Sequence, residues 1–210
     1  MKYFNSLPYL TNTDSNGNAY LLSNILIRTQ LIPQLAANPL LFYKYQLQDS
    51  DTPEIVANKY YGDSYRYWIV MHGNPSMMDP QGDWPLNSEQ FTTYLKDKYS
   101  EVAGGKDLVL SYTQGTVHHY EKLITTVDDV TKTTTIKDVW IDETTYNSLV
   151  SYTKQQIFSD GSKIIYSVKS KLVSIYDYEN SVNEQKRSIN LINSTYANQV
   201  EKQYQTLVSA

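Results

Sequence analysis

The sequence predicts an α+β fold, because its helical and strand patterns occupy different stretches of the chain. Amphipathic helical patterns dominate residues 52–102 and the C-terminal tail, whereas alternating runs rich in Thr, Val, Ile and Tyr fill residues 103–179. The 210 residues therefore divide into an N-terminal arm (1–40), a helical domain with a leading strand (41–102), a β-rich region (103–179) and a C-terminal strand-like segment with a helix (180–210). The pattern leaves open whether the β-rich region is a separate domain or an insertion.

The N-terminal arm is polar and rich in turn residues, and residues 13–18 (TDSNGN) predict a loop. After that loop, apolar side chains recur at helical spacing through Leu22, Ile25 and Leu26, but the segment is short and an extended conformation also fits. Pro33 is expected to end it, because proline has no N–H for a helix interior. The polar stretch before this segment indicates an arm that rests on another surface.

Local signals define a strand and three helices in the second region. Alternation over residues 41–48 predicts the strand, after which Thr52 caps a helix with Pro53 at its first position. Gly62 is expected to end that helix, because glycine readily adopts the left-handed conformation of a C-terminal cap. A second helix places one face at Tyr65, Trp68, Ile69 and His72, and a third, after an Asn87/Ser88 cap, at Phe91, Tyr94, Leu95 and Tyr99.

The β-rich region is predicted from short alternating runs. They indicate strands over residues 107–112, 117–127, 132–141, 155–168 and 171–179. Asp160-Gly161, inside the fourth run, predicts a hairpin turn, and a short helix is expected after a cap at Asp142. The tail predicts an amphipathic helix after an Asn193/Ser194 cap, with one face at Tyr196, Val200, Tyr204 and Leu207 or Val208.

Composition restricts the classes of function. The net charge is −4 and no basic block is present, which argues against nucleic-acid binding. Cysteine is absent, which excludes a disulfide framework, and no apolar run is long enough for a membrane span or a secretory signal. The 20 Tyr against 4 Phe suit either surfaces that become buried against a partner or half-exposed strand positions.

His118, His119 and Glu121 form the pattern that comes closest to a metal or catalytic site. On a regular strand His119 and Glu121 share one face while His118 and Tyr120 share the other, so the first pair alone can act together. A metal would need a third ligand from a distant element, and the sequence has no zinc-binding spacing, nucleophile motif or phosphate-binding glycine loop. The sequence therefore predicts no enzyme activity, no metal and no cofactor.

Residues 43–75 resemble the LysM domain in the order of their elements: a strand, a D-T-P turn, a short helix ending in Y-Y-G, and a second helix ending in an Asn-Pro turn. The resemblance rests on Asp51, Thr52, Ile55, Ala57, Tyr60, Gly62, Trp68, Ile69 and Asn74. It implies a small βααβ core. In glycan-binding members, the loops after the first strand and before the last strand hold N-acetylglucosamine polymers. Here residues 74–91 replace the second loop and closing strand and run into a helix.

With its flanks included, the chain is similar to the LysM-like wedge protein of T-even-type contractile phage baseplates. The similarity is carried by DTPEIVANKYYGD (51–63), DWPL (83–86), HHYE (118–121) and NEQKRSINLI (183–192), which occur in the family's order. It implies a structural virion protein of the tail baseplate, assembled in the host cytoplasm. Such a protein binds the wedge core and helps to join neighbouring wedges into a ring around the tail hub.

The partners that the resemblance implies are wedge core subunits and the small sheath-initiating, lysozyme-like wedge protein, in a six-fold assembly without nucleic acid or membrane. In that setting residues 183–192 fit a strand-like segment with Ile189 and Leu191 on one face, although a continuous helix with a heptad pattern from Ile175 to Tyr196 also fits. The interface candidates are Tyr60, Tyr61, Tyr65, Trp68, Trp84, Ile189, Leu191, Tyr196 and Tyr204.

The alternative function is a LysM-type module that binds peptidoglycan or chitin. It requires an open groove beside Gln48 to Thr52 and Asn74 to Met78, with an aromatic floor for the sugar rings. A groove covered by residues 79–95 would argue against it.

Overall fold

The computed structural model describes residues 3–27, 29–77, 79 and 82–208, without the side chains of Gln34 and Leu35. The chain forms two compact units. The terminal unit comprises Met1–Ser88 and Asn183–Ala210, and the inserted unit comprises Glu89–Val182. The inserted unit includes most of the helix that follows residues 43–75 together with the β-rich region.

The described residues of the terminal unit contain four strands and four helices, counting one turn of helix near Pro33. In chain order they are β1 (Tyr9–Thr13), β2 (Ala19–Ser23), α1 (Pro33–Ala36), β3 (Phe42–Gln46), α2 (Pro53–Tyr61), α3 (Tyr67–His72), β8 (Ser188–Ile192) and α8 (Ala197–Val208). The strands and helices between them lie in the inserted unit, except for the first residue of α4 and the last three of α7: α4 (Ser88–Ala103), α5 (Val109–Gly115), β4 (Val117–Asp128), β5 (Thr133–Ile141), α6 (Glu143–Ser148), β6 (Tyr152–Ile157), β7 (Lys163–Ser174) and α7 (Ile175–Gln185).

A strand–helix–helix–strand core organises the terminal unit. Strand β3 pairs antiparallel with β8, in a register that sets Phe42 opposite Ile192 and Gln46 opposite Ser188. Ile189 and Leu191 lie two residues apart on β8, so they project to the same face, and both are buried against the two helices. Burying each contributes about 2 kcal/mol relative to exposure. The predicted strand-like segment (183–192) is confirmed for Ser188–Ile192, whose partner lies more than a hundred residues upstream, whereas residues 183–185 belong to the end of a helix.

The predicted limits of the first core helix are confirmed. The Thr52 hydroxyl accepts a hydrogen bond from the Ile55 N–H (3.3 Å) and Pro53 occupies the first helical position. Gly62 ends the helix at φ +73°, where a side chain would be strained. The second helix begins at Tyr67, so the predicted face residue Tyr65 lies just before it, in a 3₁₀ turn over Ser64–Arg66 that Asp63 caps.

The end of α3 approaches the backbone of β8 closely. The Asn74 side-chain amide donates to the carbonyl oxygens of Val70 and Asn190 (2.8 Å each) and accepts from the Asn190 N–H (2.8 Å). A buried amide thus acts as an additional strand-like partner for β8 and leaves none of its groups unpaired. Gly73, beside it, faces the Asn190 carbonyl without a side chain between them.

Replacing Gly73 with Ala is expected to destabilise the terminal unit by about 2 kcal/mol, because the added Cβ crowds a backbone atom that has no free direction to move. That Cβ would lie 2.6 Å from the Asn190 carbonyl oxygen. Gly115→Ala is the matched control, since no atom lies within 4 Å of its added Cβ and its φ is not positive. Urea unfolding followed by tryptophan fluorescence compares the two variants, and equal midpoints would contradict the close packing of α3 on β8.

The arm is a β-hairpin, which the sequence did not predict. The loop over residues 13–18 is confirmed, and it joins β1 to β2 in an antiparallel pair. The Asp14 carboxylate accepts from the N–H groups of Asn16 and Asn18 (2.8 Å each), and Gly17 takes φ +84°. The open choice for the segment after the loop is settled as a strand followed by a turn. Pro33 begins a helical turn instead of ending the segment, in keeping with proline's fit to a first helical position.

An antiparallel four-stranded sheet in the order β5-β4-β7-β6 forms the inserted unit together with its helices. The Asp160-Gly161 hairpin is confirmed, since β6 pairs with β7 across it and Gly161 takes φ +84°. The Asp142 cap is confirmed as well, because its carboxylate accepts from the Thr145 N–H (2.7 Å). The helix predicted after Asn87/Ser88 spans Ser88–Ala103 and buries Phe91 and Leu95.

Two predicted strands are wrong in whole or in part. Residues 107–112 are helical, because Val109 and Thr113 lie four residues apart and are both buried, and the Thr113 hydroxyl donates to the Val109 carbonyl (2.8 Å). The run 171–179 stays a strand only to Ser174. There the Ser174 hydroxyl accepts from the Asp177 N–H (3.1 Å) and donates to its carboxylate (2.8 Å), which caps α7.

The continuous C-terminal helix with a heptad pattern is also wrong, because α7 ends at Gln185 and β8 begins at Ser188. The tail helix is confirmed over Ala197–Val208, and Asn193 caps the 3₁₀ turn (Ser194–Tyr196) that leads into it through the Thr195 N–H (3.1 Å). Tyr204 and Val208 are buried, whereas Leu207 is exposed.

No helix among the described residues is long and apolar enough to cross a lipid bilayer.

Candidate interaction surfaces

Most of the predicted interface candidates lie in the chain's own core. Six of the nine are buried there: Tyr61, Trp68, Trp84, Ile189, Leu191 and Tyr204. Tyr65 and Tyr196 are 53% and 43% exposed, and Tyr60 is half-buried with its ring stacked on Tyr43. Within the isolated chain, a partner can therefore reach Tyr65, Tyr196 and the edge of Tyr60.

The loop after β3 is fixed by a buried carboxylate. Asp51 accepts hydrogen bonds from the Lys59 ammonium (2.6 Å), the Gln48 N–H (2.9 Å) and the Tyr45 hydroxyl (2.9 Å). Burial by itself would raise the pKa of Asp51, but these three bonds together lower it below its ordinary value. Asp51 is therefore a structural anion, with its oxygens directed into the protein.

The segment that follows α3 covers this loop. The Trp84 indole N–H donates to the Asp51 carbonyl oxygen (2.8 Å), and both Trp84 and Pro85 are buried. The Ser88 hydroxyl donates to the Asp49 carboxylate (3.1 Å), and Arg187 contacts the other oxygen of Asp49 (2.6 Å). The side of the predicted groove that runs from Gln48 to Thr52 is thus occupied by residues 82–88. Met78, at the other side, lies outside the described residues.

The histidine pair adopts a different arrangement from the predicted one. The His119–Glu121 contact is present, with Nε2 and Oε1 3.0 Å apart. However, His118 does not point away from His119: their Nδ1 atoms lie 2.8 Å apart, because the pairing of β4 with β7 is irregular between Val117 and His119. Such a bulge breaks the strict alternation of side chains. The rings then stack on neighbouring aromatics, His118 on Tyr178 (3.9 Å) and His119 on Trp140 (4.0 Å).

This histidine cluster is a packing feature with few ligand groups. Burial, followed by the neighbouring His119, lowers the pKa of His118, which favours its neutral form. The Glu121 carboxylate that contacts His119 also lies 3.5 Å from the Lys171 ammonium. In the part of the chain that the structure describes, no group of three or more His, Cys, Asp or Glu side chains could hold a metal ion.

A second buried carboxylate connects α4 with α7 in the inserted unit. Glu179 accepts from the Tyr99 hydroxyl (2.6 Å), the Lys98 ammonium (2.7 Å) and the Tyr94 hydroxyl (3.0 Å). Burial would raise the pKa of Glu179, but the bonds from Lys98 and the two tyrosines lower it below its ordinary value. Burial and the same bond raise the pKa of Tyr99 to about 12. The network therefore holds α4 and α7 together.

Exposed apolar side chains concentrate on the arm. Leu21, Ile25 and Leu26 are 66%, 69% and 83% exposed, and every residue of β1 and β2 is exposed. Several large apolar side chains exposed within one short segment indicate an interaction site. An arm that rests on another surface was expected from the sequence, but these residues were not among the interface candidates. The available signal was the D-S-N-G turn between two short apolar runs, which is typical of a hairpin.

The sheet of the inserted unit carries apolar surface of its own. Ile136 and Trp140 are each 63% exposed, and they share one face of β5 because they lie four positions apart along the strand. At the other edge of the sheet, Ile157 at the end of β6 is 64% exposed. Each unit therefore presents apolar side chains to solvent.

A pocket of about 390 Å³ lies in the terminal unit among α3, α8 and the chain between Thr29 and Leu41. Trp68 and His72 line it, and burial lowers the pKa of His72, so the imidazole is neutral near pH 7. The Trp68 indole N–H is buried and has no hydrogen-bond partner within the described residues. Leu40 and Leu207, which also line the pocket, are exposed.

The described residues thus combine buried carboxylates that hold elements together with exposed apolar side chains. No individual curated protein matches the chain. A family model described as "Base plate wedge protein 53" matches residues 1–207, nearly the whole length. Proteins of this family are structural parts of the phage tail baseplate and associate with other baseplate proteins. The chain therefore belongs to the phage base plate wedge protein 53 family.

Proposed function

We propose that this chain binds the wedge core and joins neighbouring wedges into the baseplate ring of a contractile tail of the T-even type. The observation that carries the proposal is that both compact units have exposed apolar side chains, Leu21 and Leu26 on one and Ile136 and Trp140 on the other. A subunit that joins two neighbours needs at least two separate contact surfaces. Family membership supplies the setting, since the neighbours are baseplate proteins.

The order of the elements in the core of the terminal unit supports the proposal that this core is LysM-like. Strand β3, helices α2 and α3 and strand β8 follow the βααβ order, and β3 pairs antiparallel with β8. The closing strand comes after the inserted unit instead of directly after α3. We propose that this core serves as a protein-binding clamp, with Tyr65 and Tyr196 as its accessible aromatic contacts.

The arrangement does not favour the glycan-binding alternative. The loop after β3, which holds sugar in glycan-binding LysM domains, is covered by Trp84 and contacted by Ser88. Asp51 directs its carboxylate inward to Lys59, so it offers no acceptor to a ligand in that loop. Purified chain is therefore expected to pass through chitin and peptidoglycan resins without retention.

Quantitative mass spectrometry of purified tails tests the structural role. The chain is expected at a fixed ratio to the other tail proteins, at a multiple of about six copies per particle if each wedge of a six-fold ring holds the same number. We propose that its partners include the wedge core subunits and the small sheath-initiating, lysozyme-like protein. Lysine cross-linking of the same tails is expected to connect Lys44 in the terminal unit and Lys137 in the inserted unit to different partner chains.

Assembly without the chain tests the joining role. Phage that lacks the gene is expected to accumulate separate wedges, and supplying the chain in trans is expected to restore closed rings. Complete baseplates without the chain would overturn the joining role. A chain absent from purified tails would overturn the structural role as a whole.

A further inference from the structure

The β-hairpin of the arm has no covering layer among the described residues. All ten residues of β1 and β2 are exposed, including Tyr9, Leu10, Tyr20, Leu21 and Leu22. A two-stranded hairpin is marginally stable in water unless a third strand or a packed layer supports it. The hairpin therefore resembles part of a sheet that another molecule would complete.

The hydrogen bonds of the hairpin show which backbone groups are left for a partner. The Asn24 N–H donates to the Pro8 carbonyl (2.8 Å) and the Asp14 N–H to the Asn18 carbonyl (3.0 Å), so the even-numbered residues pair across the two strands. The odd-numbered residues then direct their N–H and C=O groups outward. On β2 these are Ala19, Leu21 and Ser23, and the N–H and C=O groups of Ala19 and Leu21 have no partner in the described structure.

The hairpin also lacks the charged residues that both edge strands of the four-stranded sheet contain. Edge strand β5 contains Lys137 and Asp138, and edge strand β6 contains Lys154. Charges at such positions prevent unwanted pairing with other chains. By contrast, β1 (YLTNT) and β2 (AYLLS) contain no charged residue, and Asp14 in the loop is the sole charge between residues 3 and 27. Without such charges, the edges of the hairpin remain open to pairing with another strand.

We propose that the outer edge of β2 binds an extended strand of another baseplate protein, which adds to the hairpin as a third strand. The inference rests on the proposed function, since it places this edge inside the baseplate. The β2 edge is chosen over β1 because Leu21 and Leu22 continue into exposed Ile25 and Leu26. On the β1 edge, the Thr13 N–H is already bound to the Asn12 side chain (2.9 Å).

The chemistry of the edge defines the partner strand. The partner strand forms backbone hydrogen bonds with the outward N–H and C=O groups of Ala19 and Leu21. These bonds supply affinity that does not depend on the partner's sequence. Its side chains are uncharged, because a charge beside Leu21 or Leu22 would be desolvated without a counter-charge on the hairpin. Apolar residues at every second position contact Leu21 on one face, and the residues between them contact Leu22 on the other.

Hydrogen–deuterium exchange on the free chain and on intact purified baseplates tests the proposal. The Leu21 amide is expected to exchange rapidly in the free chain and about 100-fold more slowly in baseplates, because a strand hydrogen bond protects it there. The Thr11 amide, opposite Leu21 on the other edge, is expected to exchange at similar rates in both. A Leu21 amide that stays fast in baseplates containing the chain overturns the inference and leaves the proposed function intact.

Proline variants at one cross-strand pair supply the matched test. Leu21→Pro removes an outward N–H from β2 and Thr11→Pro removes one from β1, and each leaves the hairpin's own hydrogen bonds in place. In phage that lacks the gene, Leu21→Pro is expected to lower incorporation into tails at least about 10-fold, whereas Thr11→Pro changes it less than about 2-fold. Equal losses for the two variants would overturn the inference. Slower exchange of the Leu21 amide at higher concentrations of the free chain would also overturn it, because that result would indicate pairing between copies of this chain.

Discussion

Replacing Leu191 with Ala is expected to lower the free energy of unfolding of the terminal unit by about 3 kcal/mol. Leu191 is fully buried, and it lies on the strand that closes the βααβ core opposite Tyr43. The substitution removes apolar contacts and leaves a cavity, because the surrounding helices are tied to β8 by Asn74 and Tyr61 and cannot move inward freely.

Leu207→Ala is the matched control, because Leu207 is 67% exposed on α8 and the same atoms are removed. Its effect is expected to stay within about 0.5 kcal/mol. Urea unfolding followed by tryptophan fluorescence reports on the terminal unit, since Trp68 and Trp84 are buried there. A Leu191 variant as stable as the Leu207 variant would show that β8 does not hold the core together.

The role of Leu191 illustrates what the sequence could establish. The helix limits at Thr52 and Gly62 were predictable, because a cap and a left-handed glycine act within four residues. The strand character of residues 188–192 followed from alternation and from the family resemblance. Its pairing with Phe42–Gln46 did not, because a contact across more than a hundred residues has no local signal.

The wrong predictions followed local sequence patterns where other contacts determined the structure. Residues 107–112 alternate well enough for a strand, but burial of Val109 with Thr113 selected the helix. The strand end at Ser174 had a readable signal, since Ser174 and Asp177 form a capping pair that the alternation concealed. The bulge near His118, which changed the histidine arrangement, has no equivalent sequence signal.

The candidate contacts were the least predictable part. Aromatic composition cannot separate a tyrosine that fills the core, such as Tyr204, from one that faces solvent, such as Tyr65, since both side chains are apolar with one polar tip. An arm that rests on another surface was expected, but the apolar segment after the loop at residues 13–18 fitted both a helix and an extended conformation, so its exposed side could not be assigned. Its exposure is a property of the fold, so it became visible only in three dimensions.

Replacing Glu179 with Ala is expected to destabilise the inserted unit by about 3 kcal/mol. The substitution leaves the Lys98 ammonium and the hydroxyls of Tyr94 and Tyr99 without the acceptor that they share. Glu101→Ala is the matched control, because Glu101 is exposed near the C-terminal end of α4, where an acidic side chain adds little. Amide hydrogen exchange of α4 measures the difference between the two variants.

The pH dependence of that difference separates the ionised network from loss of packing. The folded-state pKa of Glu179 lies below its ordinary value of 4.5, so the carboxylate stabilises the fold fully above that value. As the pH falls through the lower folded-state pKa, Glu179 becomes protonated and its advantage over the Ala variant shrinks. The two proteins should therefore differ most near pH 7 and converge on acidification. A difference that stays constant from pH 7 to about pH 2 would assign the effect to lost side-chain volume, and the charged network would contribute nothing to holding α4 against α7.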